Sequence, residues 1–283
     1  MAFELEQVTP PVAYHAEGPV WFAGWGGLRW VDMFAGDVLS LDGATGAVAR
    51  THIGDFAGAI RPRSGGGMVA GVERGFVLID ETGIGHRTPE LWPVGPARMN
   101  DGGCDPDGRF YCGSYSNEAG GADLWRLDPD GTCTIVLPGV TASNGLAWSP
   151  DGARAYYIDT ATREISVFDY AADSGLTDRR TFVAVDPDLG KPDGLTVDAE
   201  GGVWVALYGG AAVHRYDSGG TRDAVIRLAE SQTTACTFGG DDLGDLYITT
   251  SREKIAADAQ PNAGSVFRAR PGVRGLPVLK FAG

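Results

Sequence analysis

Short stretches in which apolar or aromatic residues alternate with polar ones recur along the chain, each entered through a turn that contains glycine. Six of them are Gly27-Leu-Arg-Trp-Val-Asp, Gly67-Met-Val-Ala-Gly, Gly108-Arg-Phe-Tyr-Cys-Gly, Gly152-Ala-Arg-Ala-Tyr-Tyr-Ile-Asp, Gly202-Val-Trp-Val-Ala-Leu and Gly244-Asp-Leu-Tyr-Ile-Thr. Their marker glycines lie 40, 41, 44, 50 and 42 residues apart. Alternation with a period of two turns every second side chain to one face of a strand, and the Asp-Gly and Gly-Gly pairs between stretches suit hairpin turns. A third strand follows most markers, as in Asp123-Leu-Trp-Arg-Leu-Asp128, Ile165-Ser-Val-Phe-Asp-Tyr170 and Ala212-Val-His-Arg-Tyr-Asp217. Units of this length with three or four strands are the size of blades, so the pattern predicts an all-β, six-bladed β-propeller. A parallel α/β fold would need amphipathic helical runs between strands, and the sequence offers only a short turn near Arg252 to Asp258. Phe3 to Val8 is expected to supply the outer strand of the last blade, because closing the ring removes exposed sheet edges. Residues 1–283 are thus expected to form a single domain.

The repeat also predicts where side chains converge. Each blade's innermost strand starts beside the central channel at the same end, so equivalent repeat positions become neighbours there. Counting back 7 to 10 residues from the markers reaches Glu17, the Ala59–Ile60 region, Asn100, Asn144, Asp193 and Cys236. Four of these positions carry a carboxylate or an amide, and each sits next to or near a glycine expected to let the backbone bend sharply. Two carboxylates and two amide oxygens form a hard-oxygen set suited to Ca2+, Mg2+ or Mn2+ and able to hold Zn2+. A divalent ion would also remove the repulsion between Glu17 and Asp193 in a partly dehydrated channel. The expected metal site therefore lies at one end of that channel. Taken singly, Asp-Gly and Asn-Gly are ordinary turn dipeptides; their recurrence at one repeat position is what favours a site.

Composition narrows the function classes. Forty-three glycines in 283 residues, without a collagen-like period, fit many tight turns between short strands. The formal charge of -14 leaves no evident basic face, which argues against nucleic-acid binding. No apolar run is long enough to span a membrane, and Met1-Ala2-Phe3-Glu4-Leu5-Glu6 lacks a basic segment leading into an apolar one, so a cytoplasmic location is expected. Cys104, Cys112, Cys133 and Cys236 form no CxxC pair and read as buried thiols, although Cys104 and Cys112 flank a hairpin and are placed to face one another.

Around these positions the sequence resembles the SMP-30/gluconolactonase/LRE family over nearly its whole length. The carriers are Glu17-Gly-Pro-Val-Trp21, Arg98-Met-Asn-Asp-Gly102 with Asp105-Pro-Asp-Gly-Arg-Phe110, Ser143-Asn-Gly-Leu-Ala147 with Ser149-Pro-Asp-Gly152, Lys191-Pro-Asp-Gly-Leu195 and Thr234-Ala-Cys-Thr-Phe-Gly-Gly240. The resemblance implies that Glu17, Asn144 and Asp193 ligate one divalent metal ion, with Ca2+ the first expectation and Zn2+, Mn2+ or Mg2+ compatible. It places Asn100 beside the metal's water or the substrate, and Arg98 and Glu118 at sugar-contacting positions. The loop from Ser114 to Ala122 that carries Glu118 differs considerably among members. The implied activity is hydrolysis of a sugar-derived lactone; the chemistry of such a site makes Asp193 the expected general base and needs no organic cofactor, and a small-molecule lactone as partner and a monomeric chain are expected.

Other residues read more plainly. His15, His52, His86 and His214 form no HxH or HExxH pattern; His15 is expected at a strand end on the surface and His214 on a third strand. Ser143 and Ser149 lack a Gly-x-Ser-x-Gly elbow, Asp241-Asp-Leu-Gly-Asp245 is expected to be a solvated turn, and the recurrent tryptophans fit packing between blades. Two other functions fit the same scaffold: a metal-dependent esterase or phosphotriesterase, and a non-enzymatic binding propeller with a structural ion.

Overall fold

The structure, a computed structural model, describes residues 3–256 and 258–283. Its strands form six four-stranded antiparallel sheets, in agreement with the repeat. Five sheets are simple meanders with inner strands Ala16–Phe22, Ala57–Pro62, Arg98–Cys104, Ser143–Trp148 and Lys191–Val197. In the sixth, Thr233–Gly239 is innermost and Leu5–Gln7 pairs outermost with Val266–Ala269, placing Leu5 opposite Ala269 and Gln7 opposite Phe267. The expected closing strand is therefore present. In the stretch expected to hold a short turn, Glu253 and Lys254 form one turn and Asp258 and Ala259 another. Among the described residues no helix is long and apolar enough to cross a membrane.

Each blade buries apolar residues on both faces, because it is stacked between two others. Six apolar clusters result, one in each gap between neighbouring blades. Val20, Val31 and Val38 of the first blade meet Ile60, Ala70 and Val77 of the second, and Trp30 and Leu39 meet Tyr247 and Val266 across the seam that closes the ring. Trp30 and Trp204 are fully buried, and Trp21 stacks on Tyr247 with ring centroids 5.4 Å apart, so these tryptophans pack blades together.

The turns before the outgoing strands are fixed locally. Asp105 Oδ1 accepts from the backbone N–H groups of Asp107 and Arg109, and Asp198 Oδ1 accepts from those of Glu200 and Gly202. Such side-chain acceptance replaces bonds that a tight turn cannot make within its own backbone. Asp241 and Asp242 are exposed in the corresponding turn of the last blade, whereas Asp245 is buried and ion-paired with Arg270 at 2.9 Å. All four cysteines are free; Cys104 lies opposite Phe110 and Cys112 opposite Gly102, so the first two are offset along the hairpin and do not pair.

His214 lies on the third strand of the fifth blade and is buried. Burial, reinforced by Arg222 and Arg227, pushes its imidazole down from 6.5 to about 4. The unfolded chain then binds more protons between those values, so His214 contributes stability above pH 6.5 that disappears as the pH falls toward 4. A His214→Asn variant should lose less melting temperature over that window than the parent chain. Parallel melting curves across the window would show that His214 has no such role.

Candidate functional site

The inner strands share one irregularity. Their pairing with the second strand slips between Glu17 and Val20, Ala57 and Ile60, Met99 and Gly102, Ser143 and Leu146, Pro192 and Leu195, and Thr233 and Cys236. A bulge re-aims side chains at the point where it occurs. Aligning the six slips makes Asn100, Asn144 and Asp193 equivalent to one another and to Gly18, Gly58 and Thr234, with Glu17 one residue earlier. The sequence count is thus corrected in three blades: Gly18 rather than Glu17 is the equivalent position in the first, Gly58 replaces Ala59–Ile60, and Thr234 replaces Cys236, which lies beyond the bulge. Gly58 and Thr234 lie 9 and 10 residues before Gly67 and Gly244, within the counted window, and only the bulge shows which residue of that window is equivalent.

Gly18, with a φ of +50°, bends the backbone beside Glu17 as expected, but the glycines beside the other polar residues act differently. Gly145 and Gly194 do not have the positive φ angles that force a choice of glycine. They are close-approach points instead: a Cβ on Gly145 would lie 2.5 Å from Leu195 N, and one on Gly194 2.7 Å from Ala235 Cα, both on the next blade's inner strand. Gly58 likewise abuts the Asn100 carbonyl. Missing side chains allow inner strands to close tightly around the channel mouth. Gly194→Ala should therefore cost about 1–3 kcal/mol, as overpacking does, and reduce activity by moving Asp193. Gly43, with nothing near its would-be Cβ and no positive φ, is the control position, where alanine should be tolerated. Equal melting temperatures for the two variants would refute this account.

Two acids anchor the approach to the mouth. Asp32 Oδ1 accepts from the N–H groups of Tyr14 and His15, at 3.1 Å each, just ahead of Glu17. Asp159 does the same for Thr141 and Ala142, at 3.1 and 2.9 Å, just ahead of Asn144. Asn144 Nδ2 donates to Thr160 Oγ1 at 2.7 Å, and that hydroxyl donates to the Pro192 carbonyl beside Asp193. Asn144 Oδ1 accepts from Asn100 Nδ2 at 3.1 Å, and Arg98 donates to Asn100 Oδ1 at 2.7 Å. A continuous chain of hydrogen bonds thus ties three blades together at this mouth.

Glu17 and Asp193 are both buried, and neither has a cationic side chain within ion-pair distance among the described residues. Burial, aided by the charge of Asp101, pushes the Glu17 carboxyl up to about 8, despite the Gly18 N–H donating to Oε2 at 3.0 Å. Asp193 is held well above the ordinary carboxylate range by burial and then by Glu17, Asp101 and Glu253. Asp101, which the ring count did not select, is likewise buried and raised, first by desolvation. Among the described residues no three His, Cys, Asp or Glu side chains gather as a metal site by themselves. A cation here would need an amide oxygen beside the two acids.

Arg98 lies half-buried in an aromatic box, its Cζ 4.3 Å from the Phe56 ring centre, 4.8 Å from Tyr115 and 5.4 Å from Phe34. Burial lowers its guanidinium to about 10, and no carboxylate among the described residues pairs with it. Glu118 is placed differently. It is exposed in the turn between Ser116 and Gly121, and its backbone rather than its carboxylate makes the turn's hydrogen bonds.

His15 departs from the surface position expected of it. It is buried at the mouth, with Nδ1 2.6 Å from Ser251 Oγ and its ring 4.8 Å from that of Phe34. Burial pushes its imidazole down to about 4, with Arg98 and Lys254 acting in the same direction. Glu253, from the turn after the second strand of the last blade, lies 4.0 Å from His15 Nδ1 and accepts from the Tyr208 hydroxyl at 2.8 Å. Burial opposes ionisation of Glu253, but Tyr208, His15 and Lys254 outweigh it and leave its carboxyl below the ordinary value. Nothing in the repeat marked Glu253, because its loop lies outside the inner strands. His15 was visible only as a neighbour of Glu17.

These features define a six-bladed propeller with a buried site of acids and amides at one channel mouth, rimmed by an aromatic-boxed arginine. The sequence pattern described as "SMP-30/Gluconolactonase/LRE-like region" matches residues 15–252, and the chain belongs to that family. It is 32% identical over 298 residues to regucalcin of Oryctolagus cuniculus, covering 100% of this chain and 99% of the relative. Among solved structures, a calcium-binding protein, regucalcin, from Agrobacterium tumefaciens superimposes with a TM-score of 0.92 at 26% identity, covering 100% of this chain and 99% of the other. A gluconolactonase from Xanthomonas campestris shares the fold with a TM-score of 0.77 at 24% identity over 95% and 89% of the two chains.

Proposed function

We propose that the protein is a divalent-metal-dependent lactonase that opens a sugar-derived lactone. The observation that carries this reading is the pair of buried carboxylates, Glu17 and Asp193, without a cationic partner among the described residues and beside the Asn100–Asn144 amide pair. Two desolvated acids repelling one another fit a divalent cation, and their hard oxygens with Asn144 Oδ1 fit the calcium named for the Agrobacterium relative. Zn2+, Mn2+ and Mg2+ suit the same donors.

Glu17, Asn144 and Asp193 would hold the ion. Bound there, it supplies Lewis-acid polarisation of the ester carbonyl and a more acidic water. Asp193 takes the proton from the attacking water and returns it to the ring oxygen as the C–O bond breaks, giving the hydroxy acid. Arg98 and Asn100 hold substrate hydroxyls, Arg98 through charge-assisted bonds from a guanidinium that pairs with no carboxylate among the described residues. Phe34, Phe56 and Tyr115 keep that guanidinium fixed and partly dry. Glu118, on an exposed turn, reaches the sugar only at its outer edge.

The test is hydrolysis of a panel of aldonolactones, aryl esters and phosphotriesters, first after chelation and then after adding back Ca2+, Zn2+, Mn2+ or Mg2+ singly. Aldonolactones should be preferred, with turnover lost on chelation and restored by at least one ion. Undiminished lactone turnover in the chelated protein would refute metal dependence. Preference for aryl esters or phosphotriesters would reassign the substrate, and inactivity on the whole panel would leave a binding propeller.

A further inference from the structure

Beyond the bulges, the second halves of the inner strands surround a separate cavity of about 420 Å3 at the opposite end of the channel. Trp21, Trp148 and Phe238 contribute apolar walls, and Arg61 and Thr196 contribute polar groups. The floor is a strap. Gly275 is bridged to Asp198, and Phe281 is bridged to Arg63 on the far side, so Leu276 to Leu279 run beneath the opening. Phe281 is fully buried and its N–H donates to the Pro62 carbonyl at 2.9 Å, which fixes that end.

Arg61 is the cationic residue in this lining. One N–H of its Nη1 donates to the Ile60 carbonyl at 2.6 Å, and one of its Nη2 donates to the Gly102 carbonyl. Neutral carbonyls hold the guanidinium in place without neutralising it, and its other N–H groups remain for a ligand. Asp101 senses its charge from elsewhere in the channel, but among the described residues the two form no ion pair. Asp151 lies at the exposed rim, where its carboxylate is engaged by the Ser149 hydroxyl and the Ala153 N–H. A half-buried arginine without a carboxylate partner among the described residues, opening into an apolar space of ligand size, has the makeup of a small-molecule site.

We propose that this cavity is a second binding site, distinct from the acid–amide mouth, for a small amphipathic carboxylate. Its carboxylate pairs with Arg61 in the bidentate manner that a guanidinium allows, and its flat apolar body lies among Trp21, Trp148 and Phe238 above the strap. A single anionic group and a mostly apolar body fit a lining with one cation and several large rings. A polyhydroxylated sugar acid fits poorly, because the apolar walls offer few partners for its hydroxyls.

The test uses 2-naphthoate as probe and neutral 2-naphthamide as its control, with binding followed by calorimetry and by quenching of tryptophan fluorescence. Naphthoate should bind one-to-one and naphthamide at least about tenfold more weakly, the factor expected on losing a charge-assisted hydrogen bond. Arg61→Met should weaken naphthoate about tenfold or more, Arg61→Lys should retain part of the affinity, and Asp193→Ala should leave it unchanged. Melting curves of both Arg61 variants identify any that fails to fold; if Arg61→Met does, Arg61→Lys and the naphthamide comparison decide. Equal binding of naphthamide, undiminished binding by folded Arg61→Met, displacement of naphthoate by an aldonolactone, or no naphthoate binding at millimolar concentration would each overturn the proposal. None of these results depends on whether the other mouth is a lactonase.

Discussion

Asp193→Ala and Asp193→Asn are expected to lower kcat/KM for lactone hydrolysis by about a thousandfold or more, within the range for removing a general base and larger if the metal is lost as well. Both variants should remain folded. The buried Asp193 carboxyl is disfavoured by dehydration and by Glu17 and Asp101, so the metal-free protein loses repulsion when it is replaced. The opposite holds with metal. A ligand that binds only the folded state raises its stability by RT ln(1 + [L]/Kd), about 2.7 kcal/mol at a hundredfold excess over Kd. The melting temperature of the parent chain should therefore rise when the activating ion is added, and that of Asp193→Asn should hardly move. Calorimetric titration with the ion and melting curves with and without it measure both halves. Normal turnover by metal-free Asp193→Ala, or an unchanged metal-induced shift, would exclude the proposed role.

Arg98→Lys is expected to reduce kcat/KM by about ten- to a hundredfold, mainly through KM, the scale of one or two charge-assisted hydrogen bonds. Charge is preserved in this substitution, so the loss tests shape. The guanidinium sits 4.3 to 5.4 Å from the ring centres of Phe56, Tyr115 and Phe34 and still donates to Asn100, whereas an ammonium is a compact, strongly hydrated point charge. Because Asn100 in turn donates to Asn144 Oδ1, a weaker hold on Asn100 should also lower metal affinity slightly. Steady-state kinetics on the preferred lactone and a metal titration separate the two effects. An unaltered KM in the Arg98→Lys variant would mean that Arg98 does not touch substrate. Together with the Gly194 and His214 variants, these substitutions probe the site, the close approach that shapes it and a buried histidine away from it.

Much of the architecture was legible because it rests on local, repeated chemistry. Glycine-led turns at near-constant spacing and period-two strands define blades, and six blades with a closing N-terminal strand form a ring without open edges. Glu17, Asn100, Asn144 and Asp193 were selected for the same reason, since they recur at nearly one place in the repeat. Gly58 and Thr234 were missed by one to two positions, because a window of several residues before each marker does not show where the bulge falls. The role of Gly145 and Gly194 was also misjudged. An Asn-Gly or Asp-Gly pair looks like a bend until the next blade's backbone is seen against it.

Sequence alone determined the blade count, the closure of the ring and the side-chain chemistry gathered at one mouth, since each follows from residue types at repeated spacing. Tertiary structure decided what surrounds that chemistry. His15 is buried rather than exposed because Phe34 and Ser251, from different parts of the chain, cover it. Glu253 joins the rim through a loop outside the repeat, Asp101 adds a third buried charge, and Arg98 acquires an aromatic box from three separate segments. The strap beneath Arg61 closes the far cavity in the same way. Burial and electrostatics depend on neighbours distant in sequence, and a repeat says only which positions are equivalent, not what each of them faces.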